Sequence, residues 1–347
     1  MGPPRPAPQR ENRRQRFPRP RPGATPLLPD VLAGVASGSP HRPIMLREVL
    51  RTLQPRPGDL VIDATLGGGG HAEAILAHIQ PGGHLAGLDV DPVELSATAA
   101  RLGAAGHGPA TFVARHGSFA DLPRLLAADG LEAADLVLVD LGVSTMQHDA
   151  PARGFNFRTA GPLDMRMDQT RGETASALLA RLDEHALTAL LEAHADEPRA
   201  RLIAGVLTRG AVTTTHTLER LVRLGLNAAC PDLPRAEVKR SVRRTLQALR
   251  VAVNDEFTAL DRLLDALPEC LAPGGRAAIL TFHSGEDRRV KKAFQAGQRA
   301  GIYTSVARDV LRATIEETRG NRRAMSAKLR WAVRAQAAEP PPGCETK

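Results

Sequence analysis

The stretch DATLGGGGHAEAIL, residues 63–76, decides the fold class of this 347-residue chain. It places four consecutive glycines between the short apolar run LVIDA (60–64) and a run of helical pattern at 70–80. Glycines between a strand and a helix let the backbone approach a ligand closely, and the start of the helix offers unpaired N–H donors. The stretch therefore predicts a strand, a ligand-binding turn and a helix in that order.

Short apolar runs alternate with helical segments around this stretch. The predicted strands are LVIDA (60–64), HLAGLD (84–89), ATFVAR (110–115) and DLVLVD (135–140). The helical segments between them are 70–80, 92–103 and 118–127. Such alternation is typical of βαβ units, so we predict an α/β fold whose parallel sheet carries helices on both faces.

The alternation stops at Asp140. Residues 141–172 are rich in Gly, Pro, Asp and Arg and predict a long loop, after which only helical patterns follow. Asn254 is predicted as the N-cap of the last of these helices. The segments beyond it are LAPGG (271–275), predicted as a turn, and the strands RAAILTFH (276–283) and AKLRWAV (327–333). We predict a doubly wound sheet with a helical insertion after its fourth strand.

Charge and composition narrow the function classes. The net charge is +8, and residues 1–22 hold seven arginines among many prolines. Such a tail is predicted to be disordered, and its arginines could pair with nucleic-acid phosphates or simply be solvated. No apolar run approaches the roughly 20 residues that span a membrane. The three cysteines are far apart and form no disulfide framework, so we expect a reducing, cytoplasmic setting.

An acid at the end of the second predicted strand indicates the type of ligand. Asp89 follows the glycines by about 20 residues, the spacing at which an acid meets ribose hydroxyls in dinucleotide-binding folds. This spacing predicts an adenosine-type cofactor. Gly67, Gly69 and Ala72 also match the GxGxxA fingerprint, so a nicotinamide-dependent oxidoreductase stays open at this point.

Two further acids favour S-adenosylmethionine over a dinucleotide. Asp63 precedes the glycines, where it could order the loop or attract an ammonium group but would repel a pyrophosphate. Asp140 ends the fourth predicted strand beside the polar segment LGVSTMQHD (141–149), near where a methyl acceptor would enter.

Motifs over most of the chain add a resemblance to a known family. They are HRPIMLREVL (41–50), DATLGGGGHAEAIL (63–76), GLDVDP (87–92), DLGVSTMQ (140–147), RGFNF (153–157), GPLDMRMD (161–168), RRTLQALRVAVNDE (243–256), LAPGGRAAILTFHSGEDRRVKKAF (271–294) and NRRAMSAKLRWA (321–332). From His41 to Trp331 the chain resembles the bacterial ribosomal RNA small subunit methyltransferase H family, also called MraW.

The resemblance implies a fold, a reaction and partners. The fold would be a class I, Rossmann-like S-adenosylmethionine-dependent methyltransferase sheet with an inserted all-helical domain. The reaction would methylate the exocyclic N4 of a cytidine, cytidine 1402 in the usual numbering, in the decoding region of 16S ribosomal RNA. The cofactor would be S-adenosyl-L-methionine, without a metal, and the partner 16S ribosomal RNA or the small ribosomal subunit, without a membrane. A homodimer is a further hypothesis.

The resemblance also implies a division of the chain. The expected parts are a disordered tail at 1–40, a methyltransferase domain at 41–144 and 236–335, an inserted helical substrate-recognition domain at 145–235, and a flexible tail at 336–347.

The family's cofactor-binding positions fall on matching residues of this sequence. They are Gly69, Gly70, His71, Asp89, Phe119, Asp140 and Gln147. Asp140 is also the candidate catalytic residue, because an acceptor on the amine would favour its attacking form and could take up its proton. The alternative is that Asp140 contacts only the cofactor.

The residues that would meet RNA are less well defined. Phe155, Phe157 and Phe282 are the rings that could stack on cytosine; core packing is the more common role for each, but we predict that at least one lines the cytosine pocket. His283 follows a strand end and could form a wall of the same cleft. Phosphate contacts could come from Arg243 and Arg244 in KRSVRR (239–244), or from the clusters DRRVKK (287–292) and RGNRR (319–323).

Two segments depart from the usual family pattern. STMQHD (144–149) stands beside the cofactor, and HSGED (283–287) replaces an apolar side chain by Gly285, which could loosen a helix start. Three other functions stay open: the oxidoreductase, a ribosome-assembly protein without turnover, and a small-molecule methyltransferase.

Overall fold

The structure is a computed structural model that describes Arg19, Arg21, residues 43–131 and residues 133–336. The predicted tails at 1–40 and 336–347 lie outside these residues, apart from the two arginines and Gln336. The two arginines contact the folded body. Arg21 is buried and donates to Asp59 with an Nη1–Oδ2 distance of 2.8 Å, and Arg276 donates to the Arg19 carbonyl oxygen.

The described residues form eight strands and thirteen α-helices. The strands are β1 Leu60–Asp63, β2 His84–Asp89, β3 Phe112–His116, β4 Ala134–Asp140, β5 Leu271–Thr281, β6 Tyr303–Val306, β7 Leu311–Arg312 and β8 Lys328–Arg334. The helices are α1 Leu46–Leu53, α2 Gly70–Ile79, α3 Pro92–Ala104, α4 Leu122–Ala128, α5 Thr145–Asp149, α6 Ala175–Arg181, α7 Glu184–Ala195, α8 Ala200–Leu207, α9 Thr215–Ala229, α10 Arg235–Val253, α11 Glu256–Cys270, α12 Ser284–Arg299 and α13 Ile315–Gly320.

All the strands belong to one sheet. Their order is β3-β2-β1-β4-β5-β8-β6, and β7 pairs with β8. Strands β1 to β5 pair in parallel, whereas β8 runs antiparallel to β5, β6 and β7. The predicted α/β class with an essentially parallel central sheet is confirmed. Strand order reverses between β1 and β4, and open α/β sheets bind ligands at such a point, outside the carboxyl ends of the strands.

The sheet is buried on both faces because its central strands carry apolar side chains on both sides. In β4, Leu136 and Leu138 pack into one cluster with α1, α2 and α3, while Val137 and Val139 pack into another with α4, α11 and α12. Side chains alternate between faces along a strand, so a continuous apolar run is what a two-sided sheet requires.

The helices between β4 and β5 have a third apolar cluster of their own. It contains Leu187 and Leu191 of α7 together with Val238, Val242 and Leu249 of α10. Helix α10 lies on the methyltransferase side of the predicted division at residue 235. Because its apolar face packs with α7, we propose that the inserted domain extends through α10. The domain division itself stays a proposal.

The predicted N-cap of the last inserted helix was wrong. Helix α11 begins at Glu256 and its N-cap is Asp255, whose φ is 49°. The Asn254 side chain is used elsewhere: its Nδ2 donates to the Met165 carbonyl oxygen at 2.8 Å, and its Oδ1 accepts from Met167 N–H at 2.7 Å. A local capping preference was outweighed by a contact 87 residues away in sequence.

Other boundaries also differ from the predictions. The expected loop at 141–172 contains the short helix α5, which begins with a capping box between Ser144 and Gln147. The expected turn LAPGG forms the first part of β5, where the pairing with β4 shifts register. Strands β6 and β7 were not predicted. No helix in the described part of the chain is both long enough and apolar enough to span a bilayer.

Candidate active site

The carboxyl ends of β1, β2, β4 and β5 open into one cleft. Its lining consists of Pro43, Ile44, residues 64–71, Asp89, Val90, Glu94, Phe119, residues 140–147, Met167, Glu256, Leu260, Phe282, Glu286 and Arg323. We call the part formed by residues 64–71, Asp89 and Phe119 the glycine half. The acidic half is formed by Asp140, Met167, Glu256, Phe282 and Glu286.

The four positions of the loop are glycine for different structural reasons. Gly67 and Gly69 have positive φ angles of 47° and 71°, which favour glycine. A Cβ on Gly69 would also lie 2.6 Å from Thr98 Cγ2, and one on Gly70 would lie 3.1 Å from the ring of Pro43. A Cβ on Gly68 would meet no atom within 4 Å. Only Gly68 therefore lacks an internal reason to be glycine, and its bare backbone faces open space.

Asp89 holds the glycine loop in place from the end of β2. Its Oδ2 accepts from the Gly67 N–H at 2.7 Å, and its Oδ1 accepts from the Asp91 N–H at 2.9 Å. Burial raises the pKa of Asp89 above its usual range, although these backbone donors oppose the shift. Because each carboxylate oxygen has a second lone pair, Asp89 can still accept from hydroxyl groups in the cleft.

Gln147 is tied into the protein rather than free in the cleft. Its Oε1 accepts from the Ser144 N–H at 3.1 Å, and its Nε2 donates to Asp91 at 3.0 Å. Arg153 donates to the same Asp91 oxygen at 2.6 Å, and Ser144 Oγ donates to Glu94. Burial raises the pKa of Glu94 to about 7. Gln147 thus fixes the β4–α5 turn against the N-terminus of α3.

Asp63 orders the turn but does not line the cleft. Its carboxylate is 1% exposed and accepts from the Thr65 N–H at 3.2 Å. Burial raises the pKa of Asp63 to about 7. Of the two roles open for it from the sequence, the contacts support ordering of the loop.

His71 and Asp140 face each other where the two halves of the cleft meet. The His71 Nε2 lies 3.0 Å from the Ile44 carbonyl oxygen, which can only accept, so Nε2 carries the hydrogen. Burial lowers the pKa of His71 to about 4, which keeps the ring neutral. Its Nδ1 lone pair therefore lies 3.7 Å from Asp140 Oδ2. An N–H group entering between these atoms could donate to either.

Asp140 has an unsatisfied carboxylate in the cleft. Its side chain is 25% exposed, and its buried Oδ1 has no hydrogen-bond partner. Burial raises the pKa of Asp140 to about 8, with smaller contributions from the charges of Asp63 and Glu286. The main chain is anchored by its N–H, which donates to Thr65 Oγ1 at 2.6 Å. Asp140 is thus a fixed group poised to accept a donor or a proton near neutral pH.

The three candidate phenylalanines occupy different places. Phe282 lines the acidic half, and a Cβ on Gly142 would lie 3.7 Å from its Cδ2. Phe155 is buried in the helical cluster, with the Arg153 guanidinium 5.8 Å from its ring centre, and Phe157 packs on the edge of that cluster. Of these three rings, only that of Phe282 is in position to contact a ligand in the cleft.

Glu256 and Glu286 of the acidic half belong to a buried charged cluster whose arginine, Arg250, was missed from the sequence. Arg250 of α10 donates from Nε and Nη2 to the two carboxylate oxygens of Glu256, at 2.7 and 2.8 Å. Its Nη2 also lies 3.8 Å from Glu286 Oε1. His283 is the N-cap of α12, and its Nε2 lies 3.0 Å from the same Glu286 oxygen. His283 itself does not line the cleft.

The charged cluster has a donor set that a metal could use. The ligand atoms of Glu256, His283 and Glu286 lie within 4.8 Å of one another. However, the Arg250 guanidinium already pairs with both oxygens of Glu256 and supplies the positive charge there. His283 and Arg250 lower the pKa of Glu286 below its usual range despite its burial. The cluster is therefore an arginine–carboxylate network.

The basic clusters lie at different distances from the cleft. Arg323 lines it and pairs with Asp149 at 2.6 Å. Arg243 is exposed on α10, and Arg244 lies 3.8 Å from Glu197; neither contributes to the lining. In the cluster DRRVKK (287–292), Asp287 pairs with Lys328 and Arg330, which ties this segment to β8.

The sequence suggested that Gly285 could loosen the start of α12, but the space beside Gly285 is filled by another side chain. A Cβ at this position would lie 2.6 Å from Phe257 Cζ, so the Phe257 ring fills the space that a side chain would take. Arg289 lies 3.8 Å above the same ring, and His283 and Glu286 form a capping box. The departure from the family pattern is compensated by packing.

The cleft thus combines an open backbone loop with a set of acids, and family comparison assigns its class. The model of the MraW methylase family matches residues 38–335.

The chain belongs to the MraW methylase family.

Curated relatives agree with this assignment. The chain is 42% identical over 300 residues to ribosomal RNA small subunit methyltransferase H 2 of Alkaliphilus metalliredigens, covering 85% of each chain. It is 43% identical over 300 residues to ribosomal RNA small subunit methyltransferase H 1 of Lachnoclostridium phytofermentans, covering 85% of this chain and 81% of the relative. Among solved structures, a SAM-dependent O-methyltransferase from Thermotoga maritima matches over 90% of this chain and 72% of the O-methyltransferase chain, with 9% sequence identity and a TM-score of 0.40.

The cofactor of this methylase is S-adenosyl-L-methionine. The cleft fits a cationic adenosine derivative: Gly68 presents bare backbone, Asp89 can accept from hydroxyl groups, and Asp140 has an unsatisfied carboxylate oxygen. Family membership removes the nicotinamide-dependent oxidoreductase that the GxGxxA match left open.

Proposed function

We propose that this protein methylates the exocyclic N4 of cytidine 1402 in the decoding region of 16S ribosomal RNA. Its relatives are named ribosomal RNA small subunit methyltransferase H, and the family model matches residues 38–335, a range that includes the whole cleft. The observation that carries the choice of an amine acceptor is the unsatisfied Asp140 carboxylate between the glycine half and the acidic half.

The difficulty of the reaction lies in the acceptor. The N4 lone pair of cytosine is delocalised into the ring, so the amine attacks poorly unless a hydrogen-bond acceptor favours its pyramidal form. Asp140 is in position to accept one amine hydrogen and then the proton that leaves N4 when the new N–C bond forms. S-adenosyl-L-methionine supplies the methyl group from a sulfonium that is already activated, so the protein's main task is alignment.

The glycine half would hold the cofactor. Asp89 would accept from the ribose hydroxyls, while the bare backbone at Gly68 and the N-terminus of α2 at Gly69 and Gly70 would approach the ligand closely. Phe119, at the edge of the cleft, would pack on the adenine. Gln147 would act indirectly, by fixing the β4–α5 turn through Asp91 and Ser144.

The acidic half would hold the base. Phe282 and Met167 provide its apolar surface, and the surrounding carboxylates exclude phosphate, so only an uncharged base edge fits there. Phosphates would be bound outside, where Arg323 lines the rim and Arg243 is exposed on α10. We expect RNA affinity to fall steeply with added salt, as it does when lysine and arginine displace counterions from phosphates.

The place of action and the assembly state are parts of the same proposal. Cys230 and Cys270 are free thiols, which suits the reducing cytoplasm. The homodimer stays a prediction, as does the choice between naked RNA and the assembled small subunit as substrate.

Mass spectrometry of nucleosides from small-subunit RNA tests the proposal. RNA from cells with and without the gene is compared, and purified protein is then added to subunits from the deleted strain with labelled S-adenosyl-L-methionine. The proposal expects N4-methylcytidine to disappear on deletion and to return at one position on addition. An unchanged mark, or a label on another atom or nucleoside, would contradict it. Subunit binding without label transfer would instead support an assembly factor.

A further inference from the structure

The buried arginine behind the acidic half has one end that the protein leaves unused. Nε and Nη2 of Arg250 are held by Glu256, and Nη2 is near Glu286. Within the described residues, Nη1 has no hydrogen-bond partner. It is also not one of the fully buried polar atoms that lack a partner, so it is accessible to a ligand. The side chain is 16% exposed. A guanidinium fixed on two sides with a free third nitrogen is a directed donor.

The free nitrogen lies beside Gly142, a residue that lines the cleft. A Cβ on Gly142 would lie 3.8 Å from Arg250 Nη1 and 3.7 Å from Phe282 Cδ2. Gly142 lines the cleft two residues after Asp140, and Glu286, which neighbours Arg250, is close enough to raise the pKa of Asp140. Arg250 does not itself line the cleft, but its Nη1 lies behind Gly142, on the same wall that carries Asp140.

This pairing of donor and acceptor matches one edge of cytosine. On that edge the N4 amine is a hydrogen-bond donor and the adjacent ring N3 is an acceptor. Uracil has the opposite pattern there, with an acceptor at position 4 and a donor at N3. A base whose amine meets Asp140 would place N3 next to it, on the side of Arg250.

We propose that Arg250, held by Glu256, donates a hydrogen bond to ring N3 of the target cytosine and so determines the choice of base. The inference rests on the proposed function. Glu256 is a positioning residue in this arrangement, because both of its oxygens hold the guanidinium and neither needs to touch RNA. The pairing of Arg250 with Glu256 also explains why this position is an arginine. Among the cationic side chains, only a guanidinium has a third nitrogen that remains available once two nitrogens are paired.

A substrate analogue combined with a variant tests the contact. Small subunits are reconstituted with 16S ribosomal RNA that carries cytidine or 3-deazacytidine at the target position, the analogue replacing N3 by C–H. The kcat/KM values are measured for the wild type and for Arg250→Lys, which keeps the charge but loses the fixed third nitrogen. We expect the wild type to lose roughly 10-fold to 100-fold on the analogue. We expect Arg250→Lys to be slower on cytidine and to lose less than about 3-fold further on the analogue.

Equal losses on the analogue for both enzymes would overturn the inference, as would full activity of the wild type on it. Glu256→Gln is the second variant: it keeps Arg250 but loosens this pairing, and should show a reduced loss even if Arg250→Lys folds poorly. Arg262→Met is the control, because Arg262 is exposed on α11 and has no polar partner among residues 43–131 and 133–336. It should behave as the wild type on both substrates. If the wild type fails to methylate the cytidine RNA, the proposed function fails instead.

Discussion

The two halves of the cleft are built in different ways. The glycine half comes from one continuous stretch plus Asp89 and Phe119, and its shape is set mainly by backbone conformation and backbone hydrogen bonds. The acidic half is assembled from four distant segments, and its shape is set by charged side chains that hold one another. The first kind of site is visible in a sequence motif, whereas the second exists only after the helical insertion has folded.

Asp140 belongs to the boundary of the two halves, and its replacement should have the largest effect. Asp140→Asn keeps the size of the side chain but removes the proton acceptor. We expect kcat to fall roughly 100-fold to 10,000-fold, the usual contribution of a general base. The measurement is single-turnover methyl transfer at saturating cofactor and RNA. A variant that retains more than half of the wild-type rate would show that Asp140 only contacts the cofactor.

The glycine half can be tested with two neighbouring glycines. Gly69→Ala places a Cβ against Thr98 at a positive φ, so the free protein should lose about 1–3 kcal/mol of stability. Gly68→Ala meets no protein atom, so its melting temperature should not change. Its affinity for S-adenosyl-L-methionine should nevertheless fall roughly tenfold or more, about 1.4 kcal/mol. Calorimetric titration of both variants checks this, and normal affinity of Gly68→Ala would place the cofactor elsewhere.

The buried acids predict how stability depends on pH. The pKa values of Asp63 and Glu94 are raised to about 7 and that of Asp140 to about 8, so the folded protein binds more protons than the unfolded chain. The free energy of unfolding should therefore fall as pH rises through this range. His71, with a pKa lowered to about 4, acts only below its unfolded value of about 6.5.

Thermal melts of the ligand-free protein at pH 6.5 and pH 8.5 separate the effect of these acids on stability from most of the effect of His71. We expect a lower melting temperature at the higher pH, and a smaller decrease for Asp140→Asn. A melting temperature that rises over this interval would mean that Asp63, Glu94 and Asp140 are not protonated in the folded protein near neutral pH.

The smallest effect is expected at Gly285, on the side of the acidic half away from the ligand. Gly285→Ala would press a Cβ against Phe257 and should cost roughly 1 kcal/mol through overpacking. Gly103→Ala is the matched control, since a Cβ there meets nothing within 4 Å, and it should stabilise helix α3 slightly. Chemical denaturation compares the two, and equal effects would mean that Phe257 does not fill the space at Gly285.

The comparison of the two halves also explains what could be predicted from the sequence. The strands, the glycine turn and the acid at Asp89 follow from periodicity and spacing, which are local properties. The N-cap assigned to Asn254 failed because its side chain binds the backbone at Met165 and Met167, a contact that no local pattern encodes. The contact of Arg250 with Glu286 was missed for the same reason, although Arg250 and Glu256 both lie in the motif RRTLQALRVAVNDE (243–256).

The central claim is that the acceptor base enters the acidic half beside Asp140. Photocrosslinking tests it directly, with 5-iodocytidine, which keeps the N4 amine and the N3 acceptor, in place of the target cytidine in small-subunit RNA and with S-adenosylhomocysteine in the cleft. After tryptic digestion, the crosslinked peptides should be residues 125–153, which contain Asp140 and Gly142, and residues 277–288, which contain Phe282 and Glu286. Crosslinks confined to the inserted helices between residues 175 and 244 would contradict the account.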